Sequence, residues 1–473
     1  MNLAQRVAFN TGIQILGQLF ALGIGLLTLR LTATYLGVTS FGQLAIILSL
    51  TGIVAIVADL GVTTTLAREL AKSPTEANRL GGDLLRFRLA SSVTSVLLLL
   101  VVIPFLPYTH ETKLALAISL AALFFTSLGS FPIAFFQANL RQELTAAINV
   151  LTKLLGLGAI LVVRAFDLGL YGLVGLLVIV NGIACIAAFA LSRRFWRVNV
   201  KFNWLRAKPL IRDAALIGLV SMIGLLHFRG DAIMLSLLKP ADDVGIYAIA
   251  YRFVDQAFLL PGVFVATMFP IITQAVHRNE ERAHRVINRT FQLLVLGAIA
   301  VTMMTYMLSR PLVNLAAGAE FEASVQPLQI LSFALIFMFV APVFYNVLIV
   351  INKQKHLILI GVASLLLNVS LNLILIPQYS YNGAASATVV SEAFVLGGLY
   401  FAARRHYDFR LEKTFLLRAL GATAAAVAVA ALLRSESPWL AFALAELTFL
   451  AAAYGLKAVT NADLRLVLAR RAA

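Results

Sequence analysis

The sequence specifies an all-α, polytopic membrane protein of about fourteen transmembrane helices, and three observations carry that prediction. Hydrophobic residues make up 60% of the 473, charged residues 13%, and the mean hydropathy is +0.91. So little polar surface cannot cover a soluble domain of this size. About fourteen windows each offer the roughly 20 apolar residues that a helix needs to cross the hydrocarbon core. The loops between these windows alternate between strongly basic and nearly uncharged.

The first span, Val7 to Leu31, carries Arg6 at its start, Gly23 and Gly25 inside and no small-residue cleavage pattern. It is therefore a retained helix and not a signal peptide. Phe41 to Val62, Leu84 to Phe105, Leu114 to Phe136, Leu144 to Val163 and Leu168 to Leu191 follow, each an apolar run bounded by polar or basic residues. Asp213 to Leu238 opens a second series. Gly245 to Val276 holds Pro261 and Pro270, which each remove a helical hydrogen bond and favour a kink. Thr290 to Leu308, Val325 to Val350, Leu357 to Ile376 and Gly383 to Ala403 complete that series, and Phe415 to Leu433 and Trp439 to Leu456 stand after it.

Orientation follows from the basic residues. Of 38 Lys and Arg, 27 fall on one side of the membrane and six on the other: Arg30, Lys113, Arg164, Lys239, Arg310 and Arg434. Basic loops stay in the cytoplasm, so both termini are expected there. The net charge of +16 is explained by this topology and by attraction to anionic lipid heads, without nucleic acid. Its densest run is Arg193, Arg194, Arg197, Lys201, Arg206, Lys208 and Arg212, with Phe195, Trp196 and Trp204 interleaved, and it is expected to lie on the inner leaflet. A single cysteine, Cys185, excludes a disulfide framework and a thiolate metal site.

Internal repetition divides the chain. The segment from Leu36 to Ile46, with Phe41-Gly42, recurs loosely from Lys239 to Ile249, with Val244-Gly245, at an offset of 203. Tyr171-Gly172-Leu173-Val174 is echoed by Asn382-Gly383-Ala384-Ala385. Residues 1–191 and 213–403 thus read as two copies of a six-helix unit, 192–212 as a basic linker, and 404–473 as two added helices with a cytoplasmic tail. An even helix number gives both copies one orientation, related by an axis along the membrane normal and enclosing a central cavity.

These motifs carry a family resemblance. Arg30 with Tyr35-Leu36-Gly37 and Phe41-Gly42, Asp59-Leu60-Gly61 with Arg68-Glu69, Asp231, Val244-Gly245-Ile246-Tyr247 with Arg252, and Asn382-Gly383-Ala384-Ala385 match one branch of a transporter superfamily. The chain resembles the polysaccharide transporters, or lipid-linked oligosaccharide flippases, of the multidrug/oligosaccharidyl-lipid/polysaccharide exporter superfamily. The resemblance spans nearly the whole chain. It implies export of undecaprenyl-diphosphate-linked oligosaccharide across the bacterial inner membrane for O-antigen, capsule or exopolysaccharide synthesis, with a polysaccharide polymerase and chain-length machinery as partners.

Charges within the helices point to what the cavity holds. An ionisable group near the bilayer centre costs several kcal/mol unless paired or wet, so it faces a cavity or a partner. Lys153, Arg229, Arg252, Asp231, Asp255, Glu392 and Glu446 are such groups. Lys153, Arg252, Arg229 and, with them, Arg30 are the candidate cations for a substrate diphosphate, arginine offering bidentate geometry. Arg252 and Asp255, three apart, can instead pair on one helix, whereas Arg229 and Asp231, two apart, cannot. Ion pairs stapling the two helices are the structural alternative. Glu392 is a coupling site for a proton or cation, or a hydrogen-bonded packing acid; Asp231 and Asp255 share that choice. Glu446, outside the repeat, reads as packing or an interface residue, and Asp59 as a cap or the partner of a loop arginine. Asn10, Gln14 and Gln18 follow Arg6 at every fourth position and form a polar stripe suited to the cavity. Asn149, Asn181, Asn368 and Asn372 read as inter-helix hydrogen bonders.

Enzymatic signatures are absent. The sequence has no phosphate-binding glycine loop with Lys-Ser or Lys-Thr, its six histidines form no i, i+4 pair, and the longest outer loop, Ser309 to Ser324, carries only Arg310, Glu320 and Glu322. No cofactor or metal is expected. A membrane-embedded polymerase is thus the weaker alternative, and a multidrug or organic-cation exporter on the same scaffold the stronger one. A cation exporter should present net acid to its cavity, however, and Lys153, Arg229 and Arg252 tilt this interior to basic. Gly23, Gly25, Pro261, Pro270 and Pro342 are expected bending points for alternating access.

Overall fold

The structure is a computed structural model describing residues 3–73, 77–196, 203–278, 280–407, 412–433 and 435–459, with side chains described from residue 22 onward except 77, 78, 206, 220, 278 and 280. Among the described residues every regular element is helical. The chain forms two compact units, residues 1–245 with 316–320, and residues 246–315 with 321–473.

Among the described residues twelve helices are long and apolar enough to cross a membrane. Two stretches, Leu22–Lys72 with 51 residues and Gln354–His406 with 53, are each more than twice the length of one crossing. The expected pairs Val7 to Leu31 with Phe41 to Val62, and Leu357 to Ile376 with Gly383 to Ala403, are not separated by loops. Helix α1 (Leu3–Asp59) leaves helical geometry at Gly37, with φ 66° and ψ −179°. Helix α14 (Gln354–His406) does so at Ser380, with φ 49° and ψ −128°. Glycine suits the first break because it has no Cβ to oppose positive φ.

In the first unit α1 ends at two consecutive left-handed residues, Leu60 and Gly61, which turn the chain into α2 (Val62–Lys72). This short helix buries Val62, Thr65, Leu66 and Leu70 on one side. Next come α3 (Ala77–Val102) and α4 (His110–Ser130), whose first turn is capped by Thr109 Oγ1 accepting from the Thr112 N–H at 3.3 Å. Pro132 separates α4 from α5 (Ile133–Ala138), and α6 (Gln142–Ala165), α7 (Gly169–Ser192) and α8 (Trp204–Leu238) follow. Helix α1 packs on α3, α4, α6 and α8, and α4 on α7. One core joins Leu44, Ile47, Leu116, Ile160, Val163 and Leu173.

A second core at the other end of this unit corrects the reading of the basic run. Trp196 is not spread on lipid: it is 2% exposed, stacked on Phe135 at 4.9 Å and 14°, within a cluster holding Leu66, Leu84, Phe131 and Ala214. Gly81 makes room for it, because a Cβ there would lie 2.5 Å from the indole Nε1. A few residues on, the Asn203 N–H donates to Asp83 Oδ1 at 2.7 Å. Both flanks of the run are thus pinned to α3. Trp204 is exposed, and Arg197, Lys201 and the side chain of Arg206 lie outside the described residues. We expect Trp196→Ala to destabilise this unit by about 3 to 5 kcal/mol, read as a lowered melting temperature in detergent, since the cavity left by a buried tryptophan closes poorly.

The second unit opens on α9 (Ala241–Ala257), which begins at the end of the first, and continues through α10 (Leu259–Arg278), α11 (Glu280–Met307), α12 (Ser309–Ala317), α13 (Val325–Val350), α14, α15 (Lys413–Leu432) and α16 (Pro438–Gly455). The expected kink of the Gly245 to Val276 span falls at Phe258, between α9 and α10, which places Pro261 in the first turn of α10, where its missing N–H costs nothing. Pro270 stays inside α10. Helix α13 packs on α10, α11 and α14, while α15 and α16 pack on each other and on α11. Phe291, Val343, Phe344, Val347, Phe415 and Phe449 form its core.

Candidate functional site

The candidate cations divide between the units. Arg30 and Lys153 are exposed on α1 and α6, and Arg229 is half-buried on α8. Because α1 packs against both α6 and α8, the three helices that carry these cations adjoin. Asp231, two residues beyond Arg229, is 2% exposed. In the second unit Arg252 and Asp255 are half-buried on α9, and Glu392 is 6% exposed on α14. Asn10, Gln14 and Gln18 lie in α1 but their side chains are outside the described residues.

Glu392 sits beside a buried polar ladder between the two halves of α14. Asn372 Nδ2 donates to Asn368 Oδ1 at 2.8 Å, and Asn368 Nδ2 donates to Ser391 Oγ at 3.2 Å. Tyr247 and Thr388 share a hydroxyl contact at 3.4 Å. Asn368 thus bonds across the two halves of α14 with Asn372 supporting it from its own half, and Asn181 bonds between helices, its Oδ1 accepting from Thr126 at 3.0 Å.

One buried cation was missed in the sequence. Arg88 is 1% exposed, and each arm of its guanidinium is used. Nη1 donates to Asp59 Oδ1 at 2.6 Å, Nε and Nη2 donate to the Ser127 carbonyl at 3.0 and 2.6 Å, and Nη2 donates to Ser130 Oγ at 2.7 Å. Thr63 Oγ1 also donates to Asp59 Oδ1, at 2.6 Å. Asp59 therefore pairs with an arginine inside α3 and not with a loop residue. The signal available was the cation itself, inside the apolar window Leu84 to Phe105. With four of its five N–H donors engaged, Arg88 clamps α1, α3 and α4 together.

The motif glycines mark two places where helix backbones touch. A Cβ on Gly42 would overlap the Ala241 carbonyl oxygen and stand 3.1 Å from Gly245 N, while one on Gly245 would lie 2.7 Å from the Val38 carbonyl oxygen and 3.2 Å from Gly42 Cα. Val38 and Ala241, like Gly42 and Gly245, are 203 residues apart. The contact is therefore reciprocal between equivalent positions of the repeat. The second contact joins the α1–α2 turn to α8: a Cβ on Gly218 would lie 2.5 Å from the Leu60 carbonyl carbon, and one on Gly61 would overlap the Ala214 carbonyl. Beside it Arg68 donates to Asp213 at 3.0 Å across an exposed pair. Tyr35, next to the α1 break, donates to Asp167 Oδ1 at 2.8 Å and accepts from the Gly169 N–H at 3.0 Å, which fastens α1 to the α6–α7 turn.

Residues 7–276, more than half of the chain, match the family model described as polysaccharide biosynthesis protein. The chain belongs to the polysaccharide biosynthesis protein family. Residues 241–450 of this family member also match the model for the lipid II flippase MurJ. It is 24% identical over 388 residues, 80% of this chain and 79% of the relative, to the probable low-salt glycan biosynthesis flippase Agl15 of Haloferax volcanii. Its fold is that of a lipid II flippase MurJ in an inward closed conformation, with a TM-score of 0.78, 14% identity and coverage of 97% of this chain and 99% of that one. It is also that of an inward-facing multidrug resistance MATE family transporter of the MOP superfamily, with a TM-score of 0.71, 15% identity, and coverage of 85% and 98%. The chain is thus a multi-pass member of this family, and the relatives it resembles are flippases and transporters.

Proposed function

We propose that this transporter flips undecaprenyl-diphosphate-linked oligosaccharide across a bacterial inner membrane by alternating access, supplying O-antigen, capsule or exopolysaccharide synthesis. The observation that carries the reading is the exposure of Arg30 and Lys153 on adjoining apolar helices of one unit. A cation exposed on a spanning helix costs several kcal/mol where it meets lipid, and space that water and an anion fill removes that cost whatever side chain it also contacts. A diphosphate crossing the low-dielectric region needs that counter-charge. The family membership and the similarity to a probable glycan flippase favour a lipid-linked glycan as its carrier.

Lys153 and Arg252 bind the diphosphate in this reading, with Arg229 and Arg30 completing the cationic set, while Glu392, Asp231 and Asp255 serve as coupling or pairing acids. In this reading the two broken helices, α1 and α14, each cross the membrane twice, for fourteen crossings in all, and the basic loops favour cytoplasmic termini. Reconstituted in vesicles holding a fluorescent undecaprenyl-diphosphate oligosaccharide, the wild type should move label between leaflets. Lys153→Ala and Arg252→Ala should reduce that rate at least about tenfold at unchanged abundance, with Lys153→Arg retaining part of it, because only an ammonium or guanidinium offsets the phosphate charge. Normal transport by both alanine variants would remove these residues from the site.

A further inference from the structure

The second unit holds a cavity of about 460 Å³ that none of the candidate cations lines. It opens between the end of α11, the start of α13 and the part of α14 that follows the Ser380 break. Its polar lining is wholly uncharged: the amides of Gln326 and Gln329 and the hydroxyls of Tyr306 and Ser386. Tyr306 and Phe333 meet edge to face at 5.9 Å and are both exposed on its wall. Behind it Asn382 Nδ2 donates to Gln326 Oε1 at 3.1 Å, while the buried Asn382 Oδ1 has no hydrogen-bond partner.

Each feature restricts the ligand. A volume of this size lies within the range of about 300 to 1,000 Å³ found for small-molecule sites. Without a cation on its wall, the cavity does nothing to offset the desolvation of a phosphate, and without an acid it does nothing for an amine. Amides and hydroxyls both donate and accept, which suits a molecule rich in hydroxyl groups. Aromatic rings offer flat apolar faces, which suit the C–H faces of a pyranose. All the lining positions gather at the helix ends that carry the α11–α13 connection, the side the loop charges place outside.

We propose that this cavity docks a neutral sugar ring, so that the glycan has a site of its own, distinct from the cations that hold its diphosphate. The identity of the sugar as part of a transported glycan rests on the flippase reading above. The test is saturation-transfer NMR on the full-length protein in nanodiscs, with chitobiose and maltose as neutral disaccharide probes. The wild type should transfer saturation to the ring protons of at least one probe. Gln329→Leu and Phe333→Ala should weaken that transfer about tenfold, as the loss of a hydrogen bond or a stacking face implies. Tyr306→Phe, which keeps the ring, controls for folding and should weaken it less. Lys153→Ala should leave it unchanged. No transfer to either probe, or equal transfer in Gln329→Leu, Phe333→Ala and wild type, would overturn the site. If the wild type binds the probe here but moves no lipid-linked glycan in vesicles, the flippase reading fails and the sugar site stands.

Discussion

Gly42→Leu will open the contact between residues 38–42 and 241–245 and cut transport at least about tenfold, although the protein still inserts. Even a methyl group at this position overlaps the Ala241 carbonyl, and that oxygen belongs to backbone that no rotamer change can move aside. Overpacking of this kind costs about 1 to 3 kcal/mol when side chains absorb it, and more when two main chains must part. Gly245→Leu should have the same effect, since it meets the Val38 carbonyl from the other side. Hydrogen exchange would read the change directly: amides of residues 38–46 and 241–249 should exchange faster in either variant, while those of α13 stay protected. Wild-type exchange and transport in both variants would show that the contact is not required.

Arg88→Ala should be the most destabilising single substitution in the first unit. It takes the cation from the Asp59 carboxylate, which keeps the Thr63 hydroxyl, and two donors from the Ser127 carbonyl, which keeps the Ser130 hydroxyl, and breaking a buried pair from one side costs about 3 to 5 kcal/mol. Asp59→Ala strands the buried guanidinium and should be nearly as harmful. The double variant should lose less than the sum of the two, because neither charge then remains alone. Thermal melting of the purified protein in detergent measures all three. Equal and additive losses would mean that the four polar contacts are not one network.

The apolar windows and the alternation of loop charge made the helical membrane architecture legible, because both follow from the cost of burying polar groups in hydrocarbon. The glycine of Phe41-Gly42 and that of Val244-Gly245 were legible as repeat equivalents, and the structure adds that they touch. Sequence could not reveal that contact, since residues 203 apart carry no periodicity that would bring them together. The sequence places a break between Leu31 and Phe41 and between Ile376 and Gly383, and the structure makes each with one residue out of helical geometry, Gly37 and Ser380, where the polar gap in the pattern suggested a loop. Arg88 escaped notice because its partners lie on α1 and α4, and nothing local distinguishes a clamped arginine from one at a helix end. Trp196 was assigned to lipid from its basic neighbours, whereas the space beside Gly81 that receives it exists only once α3 and α5 are packed. The uncharged cavity of Tyr306, Gln326 and Gln329 draws on three helices, and none of its residues carries the charge by which the candidate site was sought.

Dependence on the headgroup tests the central claim most directly. Vesicles containing the purified protein would be loaded with two fluorescent undecaprenyl oligosaccharides of identical sugar, one joined through a diphosphate and one through a neutral linker, and label reaching the opposite leaflet would be followed by quenching. The account predicts rapid movement of the diphosphate form, slow movement of the neutral form, and collapse of the difference between them in Lys153→Ala with Arg252→Ala. Equal rates for both lipids in the wild type, or movement of an organic cation in place of either, would contradict it.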